Sequence, residues 1–284
     1  MPYQQKLVTM AGYTVLLITA LIFAFLVQQS WPFIVEHVSL EFFTGDRWLP
    51  VSLPPVFQIR GFLVSSAMIT ALAIVVGVPF GVLAAVSLAE LLPHGISVVF
   101  RSIFEVTAGI PSVVFGFLGL KLVAPAVADF FNLPTGLTGF SAGIVLSVMI
   151  LPTLISLSEE ALRNVPREYA EASYALGASR WQTIWRVVVP TARGGIAAAV
   201  LLGIGRAIGE TMTVLMIAGG RLATPGSIFD PMRPITALIA SEVNNAARFS
   251  VQYHALFTAG LMLFLITLAV NAVAASVIVG KKGR

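Results

Sequence analysis

The chain has 284 residues, of which 57% are hydrophobic and only 11% are charged, and its formal net charge is +4. Because soluble domains carry about 25% charged residues, this composition excludes a single soluble core and indicates a protein whose main solvent is lipid. The chain contains no cysteine, which excludes disulfides and thiolate sites. Its positive residues form no single patch of the kind that would bind nucleic acid.

Six apolar runs along the chain are each long enough to form a membrane-spanning helix, which needs about 20 residues. The predicted spans are residues 8–27, 62–91, 103–123, 140–157, 194–218 and 255–279. The first run exceeds the roughly 7–15 residues of a signal-peptide core, so we interpret it as a retained span. We therefore expect an all-α integral membrane protein in two parts. Residues 1–60 hold one helix and an extracytoplasmic loop, and residues 61–284 form a core of five helices.

The distribution of positive charge predicts the orientation of the chain. An even number of spans places both termini on the same side of the membrane. That side carries roughly ten Lys and Arg residues against roughly six on the other, and an excess of positive charge marks the cytoplasmic side. We expect both termini and the polar segment of residues 158–193 to lie in the cytoplasm.

Small residues and prolines recur within the spans. Glycines occur in three pairs at four-residue spacing, the ordinary signature of close helix packing: Gly77 and Gly81, Gly139 and Gly143, and Gly205 and Gly209. Prolines within three spans predict kinks, which free backbone groups that only protein or a water-filled cavity can cover. The pattern favours a protein with a pathway between its helices over a simple anchor.

The polar segment, residues 158–193, predicts two short helices joined by a turn. The first helix runs over residues 167–176, and Gly177 stands where a C-terminal cap would. A second helix begins at Ser179 and places its tryptophans on one face, as in helices that lie along a membrane surface. Pro190 is expected to end this helix before the fifth span. On spacing alone, an ordinary cytoplasmic loop with a surface helix is an alternative.

The spacing of seven residues in this segment resembles the EAA loop of bacterial ABC importer permeases. The matching residues are Glu171, Ala172, Ser173, Gly177, Val187, Val189 and Pro190. The resemblance implies the type I importer permease fold, in which the short helix docks into a groove on a separate ATPase subunit. It assigns the ATPase contact to Glu171, Ala172, Ser173, Gly177 and Pro190.

The sequence contains no G-x4-G-K-[ST] phosphate loop. We therefore expect the chain to be a non-catalytic subunit that binds no cofactor or metal of its own. ATP and Mg²⁺ would be held by the partner ATPase.

The fifth predicted span contains two charged residues, Arg206 and Glu210. Arg206 lies 13 residues beyond Arg193, about 20 Å along a helix, where a charge is costly and usually faces a partner or a water-filled path. Glu210 follows four residues later, on the same face of a continuous helix. One interpretation is an ion pair that locks helices together. The other is that Arg206 binds an anion in transit while Glu210 holds the guanidinium, since arginine suits phosphate or sulfate.

A second pair at the same spacing, Arg101 and Glu105, begins the third span. It lies near the cytoplasmic end, so a structural pairing is favoured, although Glu105 could also face the inner mouth of a pathway. The run Gly109–Pro111 interrupts this span shortly afterwards. A helix that restarts at Ser112 would direct its N-terminal amides, a natural anion site, into the bundle. The alternative is that Pro111 only kinks a continuous helix.

Three further stretches resemble the permeases of phosphate importers. They are residues 108–116, AGIPSVVFG, residues 205–212, GRAIGETM, and residues 236–242, TALIASE. The Thr211-Met212 pair favours the PstC-type subunit over the PstA type. The resemblance implies a pathway for inorganic phosphate in a prokaryotic inner membrane, with Arg206, Glu210, Thr211, Glu105 and Ser112 along it. It also implies a PstA-type second permease, two ATP-binding subunits and an extracytoplasmic phosphate-binding protein.

Two other functions are compatible with parts of the sequence. A permease for sulfate, molybdate or phosphonate would need the same buried arginine. An ion-coupled secondary transporter would use Glu210 as a proton relay, but a lone carrier has no need of an ATPase dock. An intramembrane enzyme with Glu105 or Glu210 as base is not supported, because no nucleophile accompanies either residue.

Overall fold

The computed structural model describes residues 2–279, and this part of the chain is mostly helical. The α-helices are α1 Pro2–His37, α2 Leu40–Thr44, α3 Arg60–Val86, α4 His94–Ala108, α5 Ser112–Leu118, α6 Ala124–Phe131, α7 Gly139–Arg163, α8 Arg167–Ala175, α9 Arg180–Thr183, α10 Val189–Gly209, α11 Met212–Ile217, α12 Ile235–Glu242 and α13 Val251–Val279. Three π-helical segments adjoin them: Ser87–Leu91, Gly119–Val123 and Ile184–Val188. Two short strands, β1 Trp48–Leu49 and β2 Val56–Phe57, pair antiparallel.

Six helical stretches among the described residues are long and apolar enough to cross a membrane. They are Val8–His37, Arg60–Leu91, Ser112–Phe131, Gly139–Arg163, Arg180–Gly209 and Val251–Ala272. Their number confirms the six predicted spans. The first span ends at His37 rather than at residue 27, the fourth continues to Arg163, and the sixth begins at Val251. The boundaries of the third and fifth also differ from the prediction, and each of these two differences has a local cause.

The third span begins later than predicted because the chain breaks at the expected interruption. Residues 103–108 belong to α4, a separate helix, and the span is Ser112–Phe131. Pro111 has a ψ of 141°, outside the helical range, and precedes the first residue of α5. Proline has no N–H to continue a helix and disfavours helical geometry at the residue before it. The predicted break is therefore confirmed, and the predicted start at residue 103 is wrong.

The fifth span begins earlier than predicted and ends earlier too. Residues Arg180–Gly209 form one continuous helical stretch, so Pro190 does not end a surface helix as expected. The π-helical segment Ile184–Val188 precedes it, with the Val189 N–H bonded to the Ile184 carbonyl five residues back. The i-to-i+5 hydrogen bonding of this segment lets the helix continue past Pro190, which has no N–H to donate. At its other end, Glu210 has an extended ψ of 130° and lies outside α10.

The centre of the bundle is α7, which packs against both α3 and α10. Glycines make this close approach possible. A Cβ on Gly77 would lie 3.0 Å from Ile150 of α7, and one on Gly143 would lie 2.6 Å from Leu72 of α3. By contrast, a Cβ on Gly209 would meet nothing within 4 Å. The packing role predicted for the glycine pairs is thus confirmed between α3 and α7 but not at Gly209.

The bundle has two ends, which the span Arg60–Leu91 connects over about 48 Å. At the Trp48 end, the Trp48 indole donates to Glu242 at 2.8 Å and Arg60 pairs with Asp46 at 2.5 Å. Asp46 also accepts a hydrogen bond from Thr224, which, with Arg60, lowers the pKa of its carboxyl. At the other end, the α8 end, Arg180 donates to the carbonyl of Glu90.

Substitution at the α3–α7 contact tests this packing. Gly143→Leu is expected to lower the free energy of unfolding by about 1–3 kcal/mol, because the added side chain must displace Leu72 in a filled interface. Thermal unfolding of the purified protein in detergent measures the effect. Gly12→Leu is the matched control, since a Cβ there meets nothing within 4 Å. Equal melting temperatures for both variants would contradict the packing account.

Candidate functional site

Helix α8 carries the first three EAA-like residues, Glu171, Ala172 and Ser173, and has no buried side chain. Glu168 lies in its first turn, where an acidic side chain favours the positive end of the helix dipole. The helix ends at a turn in which Gly177 has φ of +82°, and the Gly177 N–H bonds to the Tyr174 carbonyl at 2.9 Å. A left-handed residue at this position is the usual way to end a helix, and glycine adopts it without strain. The predicted helix and the predicted cap at Gly177 are both confirmed.

The helix that follows is fixed at its start by a reciprocal cap. The Ser179 side chain accepts from the Gln182 backbone, and the Gln182 side chain accepts from the Ser179 backbone. Ser173 bonds through its hydroxyl to the buried Thr183 hydroxyl at 2.9 Å. Ser173 therefore ties α8 to α9, while Glu171 and Ala172 stay exposed.

The exposed surface of this segment is partly apolar. Leu176 is 90% exposed, and Tyr169 and Tyr174 are each about half exposed. These three side chains lie on or just after a polar helix, where they are available for contact with another protein. The geometry suits docking by a partner better than it suits a loop that only joins two spans.

A buried carboxylate lies at the base of α8, and sequence reasoning missed it. Glu159 is 1% exposed and accepts from Arg101 of α4 at 2.9 Å and from Arg163 at 2.7 Å. Arg163 also donates to the Ser97 hydroxyl at 2.9 Å and to the Leu88 carbonyl at 3.3 Å. We call Arg101, Glu159 and Arg163 the Glu159 cluster. It joins α7 to α4 and to the segment after α3, four residues before α8 begins.

This cluster corrects the pairing expected within the third span. Arg101 reaches Glu159, which lies 58 residues away, and Glu105 is exposed, with no hydrogen bond or ion pair to any described residue. The spacing of Glu159 and Arg163 could have predicted half of the cluster. No local pattern points to Arg101, because its contact depends on how α4 packs on α7.

Arg206 and Glu210 do not form the predicted pair. Because α10 ends at Gly209, the two side chains do not share one helix face, and no ion pair joins them. The Arg206 guanidinium donates to the Thr153 hydroxyl of α7 at 3.2 Å. The Glu210 carboxylate accepts from the Thr213 N–H at 3.0 Å and so caps the start of α11.

The two helix breaks meet within the bundle. The Thr213 hydroxyl donates to the Ser112 carbonyl at the start of α5 and lies 3.7 Å from the Met149 sulfur. Met149 lies one helical turn from Thr153, the partner of Arg206. The structure therefore brings the neighbourhoods of Arg206, Glu210, Thr211 and Ser112 together along one stretch of α7. Thr211 itself donates to the Gly209 carbonyl at 3.2 Å, and Glu105 lies outside this group of contacts.

These contacts leave a cation available for an anion. Among residues 2–279, Arg206 donates one hydrogen bond, to a neutral hydroxyl, and no carboxylate lies within 4.0 Å of it. Its remaining N–H groups can form the paired hydrogen bonds that a tetrahedral oxyanion accepts. The same residue range contains no group of three or more His, Cys, Asp or Glu side chains that could hold a metal ion.

The family pattern described as "Binding-protein-dependent transport system inner membrane component" matches residues 77–279. The chain belongs to this family. It is a multi-pass membrane protein, and the expectation drawn from the EAA-like spacing is confirmed at the level of the family.

Individual relatives match most of the chain. The probable ABC transporter permease protein YqgH of Bacillus subtilis is 38% identical over 236 residues, which cover 83% of this chain and 76% of that protein. The phosphate transport system permease protein PstC of Pasteurella multocida is 32% identical over 280 residues, 91% of this chain and 85% of its own length.

A solved structure supports the fold. A chain of a bacterial ABC transporter involved in the import of the polysaccharide alginate aligns with a TM-score of 0.64 over 94% of each chain. Because the two are only 17% identical, the likeness shows the fold alone. It confirms the type I importer permease fold.

Removing the charge of the Glu159 cluster tests its structural weight. Glu159→Gln is expected to lower the free energy of unfolding by about 1–3 kcal/mol, because both arginines lose their counter-ion while remaining half-buried. Glu160→Gln is the matched control, since Glu160 is the exposed neighbour on the same helix. The measurement is thermal unfolding in detergent. A Glu159→Gln variant that melts with the control would show that the cluster contributes nothing to stability.

Proposed function

We propose that this chain is the PstC-type permease subunit of an ATP-driven importer for inorganic phosphate. It forms part of the pathway through the membrane and couples to a separate ATPase through α8. The single observation that supports coupling to the ATPase is the exposure of α8, which has no buried side chain and is followed by a left-handed glycine. A helix so exposed has its binding surface free for a partner.

The choice of phosphate rests on two supports. Relatives that match about nine-tenths of the chain carry the name phosphate transport permease. Within the bundle, Arg206 has no carboxylate partner among the described residues and donates to the Thr153 hydroxyl of α7. A guanidinium with free donors in a partly dry site suits a dianion that must bind and then leave.

The remaining parts of the machine are supplied by other chains. The proposal includes a PstA-type second permease, two ATP-binding subunits that hold ATP and Mg²⁺, and an extracytoplasmic phosphate-binding protein. In this arrangement α8 and both termini face the cytoplasm of a prokaryotic cell, and the Trp48 end faces outward to receive the loaded binding protein. Hydrolysis belongs to the ATPase, and no covalent step occurs in this chain. The division into residues 1–60 and 61–284 stays a prediction.

Another tetrahedral oxyanion is the second candidate. Sulfate, molybdate and phosphonate present similar oxygens to Arg206, and the observed contacts do not rank them. Competition separates the candidates: an excess of each anion is added to an assay of labelled phosphate uptake, and unlabelled phosphate is expected to compete while sulfate, molybdate and phosphonate are not. A secondary transporter is disfavoured because Glu210 caps α11, which leaves it poorly placed to act as a proton relay.

Substitution of Gly177 tests the coupling half. Gly177→Val is expected to reduce the ATPase recovered with the permease by about ten-fold, because a β-branched residue is strained at φ of +82° and the turn must change. Gly177→Asn is the matched control, since asparagine tolerates left-handed geometry. Both variants are purified from membranes at equal permease levels. Retention of ATPase and transport by the valine variant would overturn the docking proposal.

Substitution of Arg206 tests the substrate half. Arg206→Gln is expected to abolish most phosphate uptake while the complex still assembles, because the neutral side chain cannot hold a dianion. Arg206→Lys should retain a measurable part of the uptake, since lysine keeps the positive charge but lacks the planar set of N–H donors of the guanidinium. Lys6→Gln, which removes an exposed positive charge near the start of α1, is the control. Normal uptake by Arg206→Gln would remove the anion site from the proposal.

A further inference from the structure

An apolar groove runs along one face of α10, between α3 and α13. Its volume is about 760 Å³. Nine apolar residues line it, together with one charged residue, Arg193: Val82, Val189, Ile196, Ala197, Val200, Leu201, Ile204, Ala269 and Val270. None of the contacts described above uses this groove.

The one charge of the groove lies near its α8 end, one helical turn in from Val189. Arg193 is exposed and forms no hydrogen bond or ion pair with the part of the chain that the structure describes. From Arg193 to Ile204 the groove follows 11 residues of α10, about 16–17 Å along the helix. One leaflet of a bilayer has a hydrocarbon thickness of about 15 Å. The part of the groove from Arg193 to Ile204 therefore has the length of one leaflet, with a cation at the end where the headgroups would begin.

Neighbouring residues add a second cation and a tryptophan on the α8 side of Arg193. Arg186 lies seven residues before Arg193, about 10 Å along the same helical stretch and within the π-helical segment Ile184–Val188. It is exposed and has no partner among the described side chains. Trp181 precedes it and is 58% exposed, and tryptophan concentrates where membrane meets water.

We propose that this groove binds an anionic phospholipid from the leaflet at the α8 end. One acyl chain fills the groove between Arg193 and Ile204, and the phosphate is held by Arg193 and Arg186. Arginine binds phosphate through paired, charge-assisted hydrogen bonds. Two unpaired arginines favour a lipid with net negative charge over a zwitterionic one.

A lipid fits better than a helix of a second subunit. An apolar helix laid in the groove would bury the Arg193 guanidinium without a partner, which is costly. A lipid brings a phosphate to that level and hydrocarbon to the rest. This inference does not depend on the substrate of the transporter.

Native mass spectrometry of the complex purified from membranes tests the site, with phosphatidylglycerol as the probe and phosphatidylethanolamine as the comparison lipid. Arg193→Gln is expected to weaken phosphatidylglycerol binding by about ten-fold, because the phosphate loses its charge-assisted hydrogen bonds. Arg193→Lys and Arg248→Gln should retain it. Unchanged binding by Arg193→Gln, or equal binding of both lipids, would overturn the proposal.

A second variant tests the acyl half of the site without changing charge. Ala197→Trp fills the groove and is expected to reduce bound phosphatidylglycerol to a similar degree. Leu202→Trp is its control, since Leu202 is exposed on the same helix and does not line the groove. A photo-crosslinker at Val200 should label lipid. Labelling of a second permease subunit instead, or full lipid binding by Ala197→Trp, would contradict the assignment.

Discussion

The structure depends on one constraint: backbone polar groups at membrane depth must find partners within the protein, because lipid supplies none. The chain breaks its helices at two places inside the bundle, before Ser112 and after Gly209. The breaks satisfy each other. Thr213 donates to the Ser112 carbonyl and its N–H is capped by Glu210, whose own carbonyl accepts from Thr236. Irregular backbone survives here because protein groups cover it, and it contacts α7 at Met149, one turn from the Thr153 hydroxyl that Arg206 contacts.

The α8 end follows a related rule for charge. Glu159 is buried, and its cost is offset by two arginines from different elements. Because the cluster joins α4 to the spanning helix α7 directly below α8, a displacement of α8 by a partner would reach both helices at once. Leu176 is thus exposed and available to a partner, while the buried Glu159 holds the same polar segment to the bundle.

Much of this fold could be predicted from the sequence, and the failures have a common cause. The number of spans could be predicted because each apolar run is long enough to cross the hydrocarbon of a bilayer. The turn at Gly177 could be predicted because glycine is the usual residue after the end of a helix. The Arg206–Glu210 pair failed because a four-residue spacing implies contact only if the helix continues, and α10 ends between them. The Glu159–Arg101 contact joins residues 58 apart, so no local pattern could contain it.

The central claim is that α8 docks on an ATPase. Because the chain has no cysteine, Leu176→Cys provides a unique thiol at a position that is 90% exposed. The measurement is thiol-specific crosslinking in native membranes, followed by identification of the attached chain by mass spectrometry. The account predicts that an ATP-binding subunit is attached, and that Leu53→Cys, exposed at the Trp48 end, does not attach it. Attachment of the ATP-binding subunit at Leu53→Cys and not at Leu176→Cys would contradict it.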